Sequence, residues 1–332
     1  MGDNIMSIKV FITGGAGYVG SALVPRLLKD GYHVTVLDLM IYGEDVIDPH
    51  PNLKMVKGDI RDLALLKSLI PGHNQVIHLA CISNDPSFEL NPDLGKSINL
   101  DAFRPLVEIS KSSSVERFIY ASSSSVYGVK EEPNVTEDFS LEPLTDYSKF
   151  KADCEKILAE YQSENFTTVT IRPATVCGYA RRQRLDVVVN ILTNLAYHKR
   201  EISVFGGSQL RPNIHIEDMV DAYLLLMTAP KEKVAGEIFN AGYLNFTVSE
   251  IANMVKEVVG ADVKLITTPT NDNRSYHISS EKIFKKLGFK AERSIIQASK
   301  DLKEAFEKGL LKDTLNNEFY FNIKRMQNIN LA

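Results

Sequence analysis

The first half of the chain alternates short apolar runs with stretches whose apolar residues recur at helical spacing. Runs of strand length lie at 8–12, 32–37, 52–56, 75–80, 117–121 and 169–173. Most are apolar without alternation, as strands buried on both faces of a parallel sheet must be. Helical segments are predicted at about 21–30, 63–69, 92–112 and 146–162. Asn84-Asp85-Pro86-Ser87 breaks regular structure ahead of the third helix. Strands alternating with helices in this way predict an α/β protein built on a doubly wound parallel sheet. Beyond residue 178 the pattern changes to a smaller mixed α/β region, from which Gly236–Ala241 reads as a strand returning to the large sheet.

The junction of the first strand and helix carries Thr13-Gly14-Gly15-Ala16-Gly17-Tyr18-Val19-Gly20. Strand, glycine turn and helix in this order form the Rossmann cradle for a dinucleotide. Gly14 turns where a side chain would clash, Gly17 lets backbone approach a diphosphate, and Gly20 permits close helix–strand packing. The diphosphate rests on the helix N-terminus, lined by Gly14, Gly17, Tyr18 and Val19. The second strand ends in Asp38, 18 positions past Gly20, where a carboxylate accepts the hydroxyls of an adenosine ribose. No Arg or Lys follows in Leu39-Met40-Ile41-Tyr42 to neutralise a 2′-phosphate, so NAD is expected rather than NADP. After the third strand, Asp59 and Ile60 fall on the adenine side; Asp59 either bonds the adenine edge or caps the next helix. Leu79 and Ala80 end the fourth strand on the same cofactor edge, while His78, inside its apolar run, reads as a core histidine.

Composition narrows the class. At 332 residues, 44% hydrophobic and 24% charged, the chain is of ordinary globular make-up and long enough for two fused domains. A net charge of −4 argues against nucleic acid as the main partner. No apolar run approaches bilayer-spanning length, and the start lacks a basic then apolar leader, so a cytoplasmic protein without a membrane partner is expected. Cys81, Cys154 and Cys177 are far apart, suggest neither a disulfide framework nor a metal site, and read as buried apolar thiols.

The fifth strand runs into Ser122-Ser123-Ser124-Ser125-Val126-Tyr127-Gly128, which presents hydroxyls at a strand end. Some 20 residues on, Tyr147 and Lys151 stand four apart at the start of a helix and therefore share one face. Behind a dinucleotide cradle this set reads as proton-transfer chemistry: Tyr147 as acid/base, Lys151 lowering its pKa, and a serine hydroxyl orienting the substrate. A free tyrosine has a pKa of about 10, and bringing it near 7 takes about 4 kcal/mol of preferential stabilisation of the phenolate. Lys151 and the positive ring of NAD⁺ are the expected sources.

Through TGGAGYVG at 13–20, Asp38, HLA at 78–80, SSSSVYG at 122–128, YSKFK at 147–151 and IRP at 171–173, the chain resembles the extended short-chain dehydrogenases/reductases of the nucleotide-sugar epimerase/dehydratase family. The resemblance implies a Rossmann domain at 1–178 and a nucleotide-sugar-binding domain at 179–332. It places the catalytic hydroxyl on Ser123, gives Ser124 to the substrate and sets Pro173 at the nicotinamide side. Cys177-Gly178 stands where the family has Tyr-Gly. Arg182, Val187 and Asn190 are expected over the nucleotide, and Arg211 and Arg274 on its diphosphate, where a guanidinium matches phosphate oxygens bidentately. For Arg181, Arg182 and Arg184, surface salt bridges are an equal alternative. The resemblance also implies a homodimer through the helices near 92–112 and 147–162. The tail 311–332 packs either on the body or across that dimer.

Oxidation of a nucleotide-diphosphate sugar at C4, with epimerisation as the outcome, is the expected activity. The alternatives are a dehydrogenase giving a 4-keto sugar, since 181–190 resembles that segment of GDP-heptose 4-dehydrogenases, and a non-catalytic NAD-sensing regulator. A 4,6-dehydratase is not expected, because Ser123, Ser124 and Ser125 occupy the places of that subfamily's Thr-Asp-Glu.

Overall fold

A computed structural model describes residues 8–83, 85–270 and 275–329. Its strands are β1 (Lys9–Thr13), β2 (His33–Asp38), β3 (Leu53–Lys57), β4 (Gln75–His78), β5 (Arg117–Ala121), β6 (Thr167–Pro173), β7 (Thr175–Cys177), β8 (Glu201–Phe205), β9 (Leu210–His215), β10 (Glu237–Ala241), β11 (Leu244–Thr247) and β12 (Lys264–Thr268). Seven of them form one sheet in the order β10-β6-β5-β4-β1-β2-β3, every neighbouring pair parallel. The order reverses at β1, with β4 on one side and β2 on the other. Ligand clefts open at such a switch point, beyond the carboxyl ends of the strands.

Both sheet faces are buried, which accounts for the unbroken apolar runs. Val10, Ile12, Val36, Ile77, Ile119 and Ile171 point to one face, against Leu23 and Leu27 of the helix Gly20–Lys29 and Tyr223 and Leu226 of the helix Ile216–Thr228. Phe11, Val76, Phe118 and Tyr120 point to the other, against the helices Leu63–Leu69, Phe103–Ser112 and Asp146–Ala159. His78 joins this second layer, stacked on Tyr120 with its Nδ1 2.6 Å from Thr13 Oγ1. Burial, followed by the nearby Lys151 ammonium, pushes its pKa down to about 3, so it is a neutral core residue.

The helix expected over 92–112 is broken. Pro92–Lys96 is α-helical, Ser97–Asp101 winds as a π-helix and Phe103–Ser112 resumes the α-helix. The wider turn aims Asn99 at the loop after β4: its Oδ1 accepts from Ile82 N at 2.8 Å and its Nδ2 donates to Ile82 O at 3.0 Å. Apolar periodicity does not register a tertiary bond of this kind.

After β6 the chain builds a three-stranded sheet, β11-β9-β7, and a two-stranded pair, β12-β8. The helices Val188–Lys199, Val248–Val259 and Ile295–Glu307 pack over them around Val189, Ile251, Val255 and Ile295. The tail packs on the body: Tyr320 and Phe321 join the cluster of Leu185, Leu302 and Phe306, and the helix Asn322–Asn328 follows. Among the described residues no helix is long and apolar enough to cross a membrane.

Candidate active site

One cleft of about 390 Å³ opens at the carboxyl ends of β1, β2, β4, β5 and β6. Its floor is the glycine turn. Gly14 has φ +75°, and a Cβ there would lie 2.5 Å from Ala80 N, so the turn and the end of β4 touch through backbone alone. A Cβ at Gly20 would overlap the Gly15 carbonyl, whereas one at Gly15 would lie 2.7 Å from the Val36 side chain. The close approach of turn to strand is therefore made by Gly15, and Gly20 is required by the turn itself. No side chain caps the helix Gly20–Lys29, which leaves its N-terminal dipole to a ligand.

Asp38 supports this turn and borders the cleft. Its Oδ2 accepts from Ala16 N at 3.0 Å and its Oδ1 from Met40 N at 2.7 Å, with lone pairs remaining on both oxygens. Burial raises its pKa, and these two N–H groups act in the opposite sense. Asp59 is chelated by Arg61, with 2.7 Å from Arg61 Nη2 to its Oδ2. Burial opposes the Asp59 charge, but the Arg61 hydrogen bonds outweigh it and hold the pKa below the usual carboxylate range. Asp62, not Asp59, caps the helix Leu63–Leu69.

At the other end of the cleft stand Ser122, Ser123, Ser124, Ser125, Tyr147, Lys151 and Pro173. Ser123 Oγ lies 2.8 Å from Ser125 Oγ and accepts from Ser125 N, which caps the 3₁₀ turn Ser124–Tyr127 and fixes the loop. Lys151 Nζ donates to Ala121 O at 2.6 Å, and its ammonium is 5.9 Å from the Tyr147 ring centre. The helix that carries both is keyed to the strand ends by a buried ion pair one turn further on. Glu155 Oε2 accepts from Arg172 Nη2 at 2.6 Å, and Ser122 Oγ also donates to Glu155. Arg172 Nη1 meets Tyr127 Oη at 2.7 Å, which donates to Asn240 Oδ1 at 2.7 Å. The network thus joins the ends of β5, β6 and β10 to the helix.

Gly14, Gly17, Tyr18, Val19, Asp38, Asp59, Ile60, Leu79, Ala80, Ser123, Ser124, Tyr147, Lys151, Pro173, Arg182 and Val187 all border this one cleft. Asn190 does not. Fully buried, it bonds Gly178 N at 3.0 Å and Tyr18 Oη at 3.0 Å, joining the second half to the glycine turn. Arg211 also stands back, its guanidinium 5.6 Å from the ring of Tyr276, which does line the cleft. Arg274 lies outside the described residues. Arg181 makes a surface ion pair with Asp48. Cys154 and Cys177 are buried, but Cys81 is only half-buried and borders the cleft. Among the described residues no group of three or more His, Cys, Asp or Glu is placed to hold a metal ion.

Arg184, weighed in the sequence between nucleotide and salt bridge, borders the cleft. Arg184 pairs with Asp186 at 2.9 Å, and its Nη2 is buried without a partner. Tyr42, Ser83, Asn322 and Met326, which the sequence reading missed, also line the cleft. Nothing in a polar tail marks Asn322 or Met326 as site residues, because only the packing of the tail brings them there.

A parallel seven-stranded sheet with a glycine turn and a strand-end carboxylate at its switch point defines a Rossmann protein for a dinucleotide. The model of the NAD dependent epimerase/dehydratase family matches residues 10–242, and the chain belongs to that family. It is 27% identical over 305 residues to a UDP-glucose 4-epimerase of Lactobacillus helveticus, covering 85% of this chain and 92% of that protein. It is likewise 27% identical over 299 residues to a dTDP-glucose 4,6-dehydratase of Streptomyces griseus, covering 86% and 89%. Among solved structures, the UDP-glucose 4-epimerase of Thermotoga maritima with UDP-glucose superposes with a TM-score of 0.84 at 26% identity, over 92% of this chain and all of that one.

Proposed function

We propose that this protein oxidises a nucleotide-diphosphate sugar at C4 and is an epimerase. The observation that carries the reading is the sharing of one cleft by the glycine turn and Asp38 at one end and Ser123, Tyr147 and Lys151 at the other. The residues present fit NAD: the turn admits backbone only, the helix N-terminus is uncapped, and two buried guanidinium nitrogens, Arg182 Nε and Arg184 Nη2, lack partners. In this reading Gly14, Gly17, Tyr18 and Val19 hold the diphosphate, Asp38 the adenosine ribose, and Asp59 and Ile60 the adenine. Leu79, Ala80 and Pro173 flank the rest of the cofactor. When bound, NAD⁺ supplies the hydride acceptor. Tyr147 takes the C4 hydroxyl proton as its phenolate and returns it in the reverse step. Lys151 favours that phenolate electrostatically, and Ser123 orients the hydroxyl. Val187, Arg211 and Arg274 of the second half, with Ser124 of the first, are assigned to the nucleotide sugar, the chain dividing near residue 178; Asn190 positions that half through Gly178 and Tyr18, and Arg182 borders the cleft over the ring of Tyr42.

Elimination across C5–C6 needs an acid and a base beside the reacting carbons. The carboxylates that border the cleft among the described residues are Asp38 and Asp59, both at the adenosine end, while the loop by Tyr147 offers only serines. A homodimer belongs to the same reading. The helices Phe103–Ser112 and Asp146–Ala159 lie side by side, tied by Arg104 to Glu160 at 2.8 Å, and offer a surface for a second pair.

The test is mass spectrometry and NMR of products from UDP-, GDP-, CDP- and dTDP-sugars, run in D₂O, with Tyr147→Phe alongside. An isobaric C4 epimer is expected, absent with Tyr147→Phe. A product lighter by one water with deuterium at C5 would make the protein a dehydratase, and accumulation of a 4-keto sugar would make it a net dehydrogenase.

A further inference from the structure

The segment 178–184 belongs to the second half of the chain, yet it is fastened to the glycine turn of the first. Tyr18 Oη donates to Gly178 O at 2.6 Å, and Arg182 N donates to Ser21 Oγ at 3.1 Å. Ser21 is the second residue of the helix Gly20–Lys29, so the Arg182 backbone touches the turn of helix whose N-terminus faces the cleft. Arg182 is 3% exposed; its guanidinium lies 3.7 Å over the ring of Tyr42 and spends one N–H on Asn322 Oδ1 at 2.7 Å. Asn322 is held in turn: its Nδ2 donates to Ser83 Oγ and its backbone N to Asp186 Oδ2, each at 2.8 Å.

What this guanidinium lacks is a direct ion-pair partner. Arg184 beside it pairs with Asp186, but Arg182 makes no ion pair among the described residues, and its buried Nε has no hydrogen-bond partner. Burial draws its pKa down to about 10, against the opposing influence of Tyr42 and of the nearby Asp186 and Asp38 carboxylates, neither of which pairs with it directly. A buried cation with no carboxylate in direct contact is unfavourable, and a ligand anion on its unbonded N–H relieves it. The anion expected at the N-terminus of the helix Gly20–Lys29 is the diphosphate of a dinucleotide.

We propose that Arg182, oriented by Tyr42 and by Asn322 from the C-terminal helix, is a ligand of the cofactor's diphosphate rather than of the nucleotide sugar. The cofactor site is then assembled from both halves of the chain and closed by its tail. The proposal rests on the reading of the cleft as a dinucleotide site. It adds that the second half grips the cofactor directly.

The experiment uses holoenzyme loaded with NADH and chased with excess NAD, together with affinities for NAD, ADP-ribose, adenosine, UDP, GDP, CDP and dTDP. Arg182→Met is expected to weaken NAD and ADP-ribose roughly 10- to 100-fold and to speed NADH loss correspondingly. Adenosine, which has no diphosphate, should stay within twofold. Arg182→Lys keeps the charge but not the fork and should fall between. Asn322→Asp places a carboxylate on the guanidinium and should weaken NAD without lowering the unfolding temperature of the cofactor-free chain, an outcome that a purely structural role would not produce. NAD and ADP-ribose affinities within twofold of wild type in Arg182→Met and Asn322→Asp overturn the proposal. So does a loss that falls on the nucleoside diphosphates, or equally on adenosine. If the wild-type chain binds no NAD, the reading beneath the proposal fails instead.

Discussion

Asp38 was legible from its place at the end of an apolar run, but its second task was not. Beyond the ribose contact proposed for it, it accepts the N–H groups of Ala16 and Met40, and so holds the glycine turn. Asp38→Arg should therefore lower NAD affinity and raise that for NADP, reversing the preference, as titration of both cofactors will show; an unchanged preference would remove Asp38 from the ribose. His78 has a pH consequence. Its folded pKa, about 3, lies below the 6.5 of an exposed imidazole, so the unfolded chain binds the extra proton between those values. The stability tied to neutral His78 is thus fully present above pH 6.5 and is lost as the pH falls. Between pH 6.5 and 5 the loss is about 2 kcal/mol. Urea unfolding at pH 7 and pH 5 should show that loss in wild type and a smaller one in His78→Gln, and equal losses would contradict the assignment. Tyr147 and Lys151 could be read because four-residue spacing on a helix is local information. Arg182 could be found in sequence but not placed, since its neighbours Tyr42 and Asn322 lie 140 residues away on either side.

Elements were legible where their own sequence determines them. The apolar runs give the seven parallel strands, because a sheet buried on both faces leaves an unmistakable pattern. The break at 97–101 was hidden, because it is stabilised by the pairing of Asn99 with Ile82 and not by any helix-breaking residue. The helix Asp146–Ala159 shows how an element becomes a positioning device. Tyr147, Lys151 and Glu155 recur every four residues on one face, so fixing Glu155 fixes the other two. The Glu155–Arg172 pair is almost wholly buried, with side chains 4% and 3% exposed. Removing one partner from a buried pair costs about 3–5 kcal/mol, because the other charge is left uncompensated. Glu155→Gln should lower the unfolding free energy by that amount and reduce kcat more than it raises the KM for nucleotide sugar. Chemical denaturation and steady-state kinetics on the same preparation check both parts; a variant as stable as wild type would show that the pair does not anchor the helix.

At the scale of the whole molecule, the two halves meet around the cofactor cleft, and the tail bridges them. Asn322 ties Ser83 of the first half to Arg182 and Asp186 of the second, while Arg325 Nε donates to Ile41 O at 2.5 Å beside Tyr42. The helix Asn322–Asn328 places Asn322 and Met326 in the wall of the cleft, so a dinucleotide held there as proposed lies against it. In the proposed reading, such a wall helps an epimerase to keep its reduced cofactor until the ketone is reduced again. Ending the chain after Phe321 separates cover from fold, since Tyr320 and Phe321 stay packed with Leu185 and Phe306 while Asn322, Arg325 and Met326 are removed. Such a truncation should unfold within a few degrees of wild type and retain the KM for nucleotide sugar. It should lose NADH at least about tenfold faster in a chase with NAD, the equivalent of one lost charge-assisted hydrogen bond. With the cover gone, free NADH should also accumulate during turnover, which fluorescence of the ultrafiltrate detects. An off-rate equal to that of the full chain would show that the tail covers the cleft without holding what lies in it.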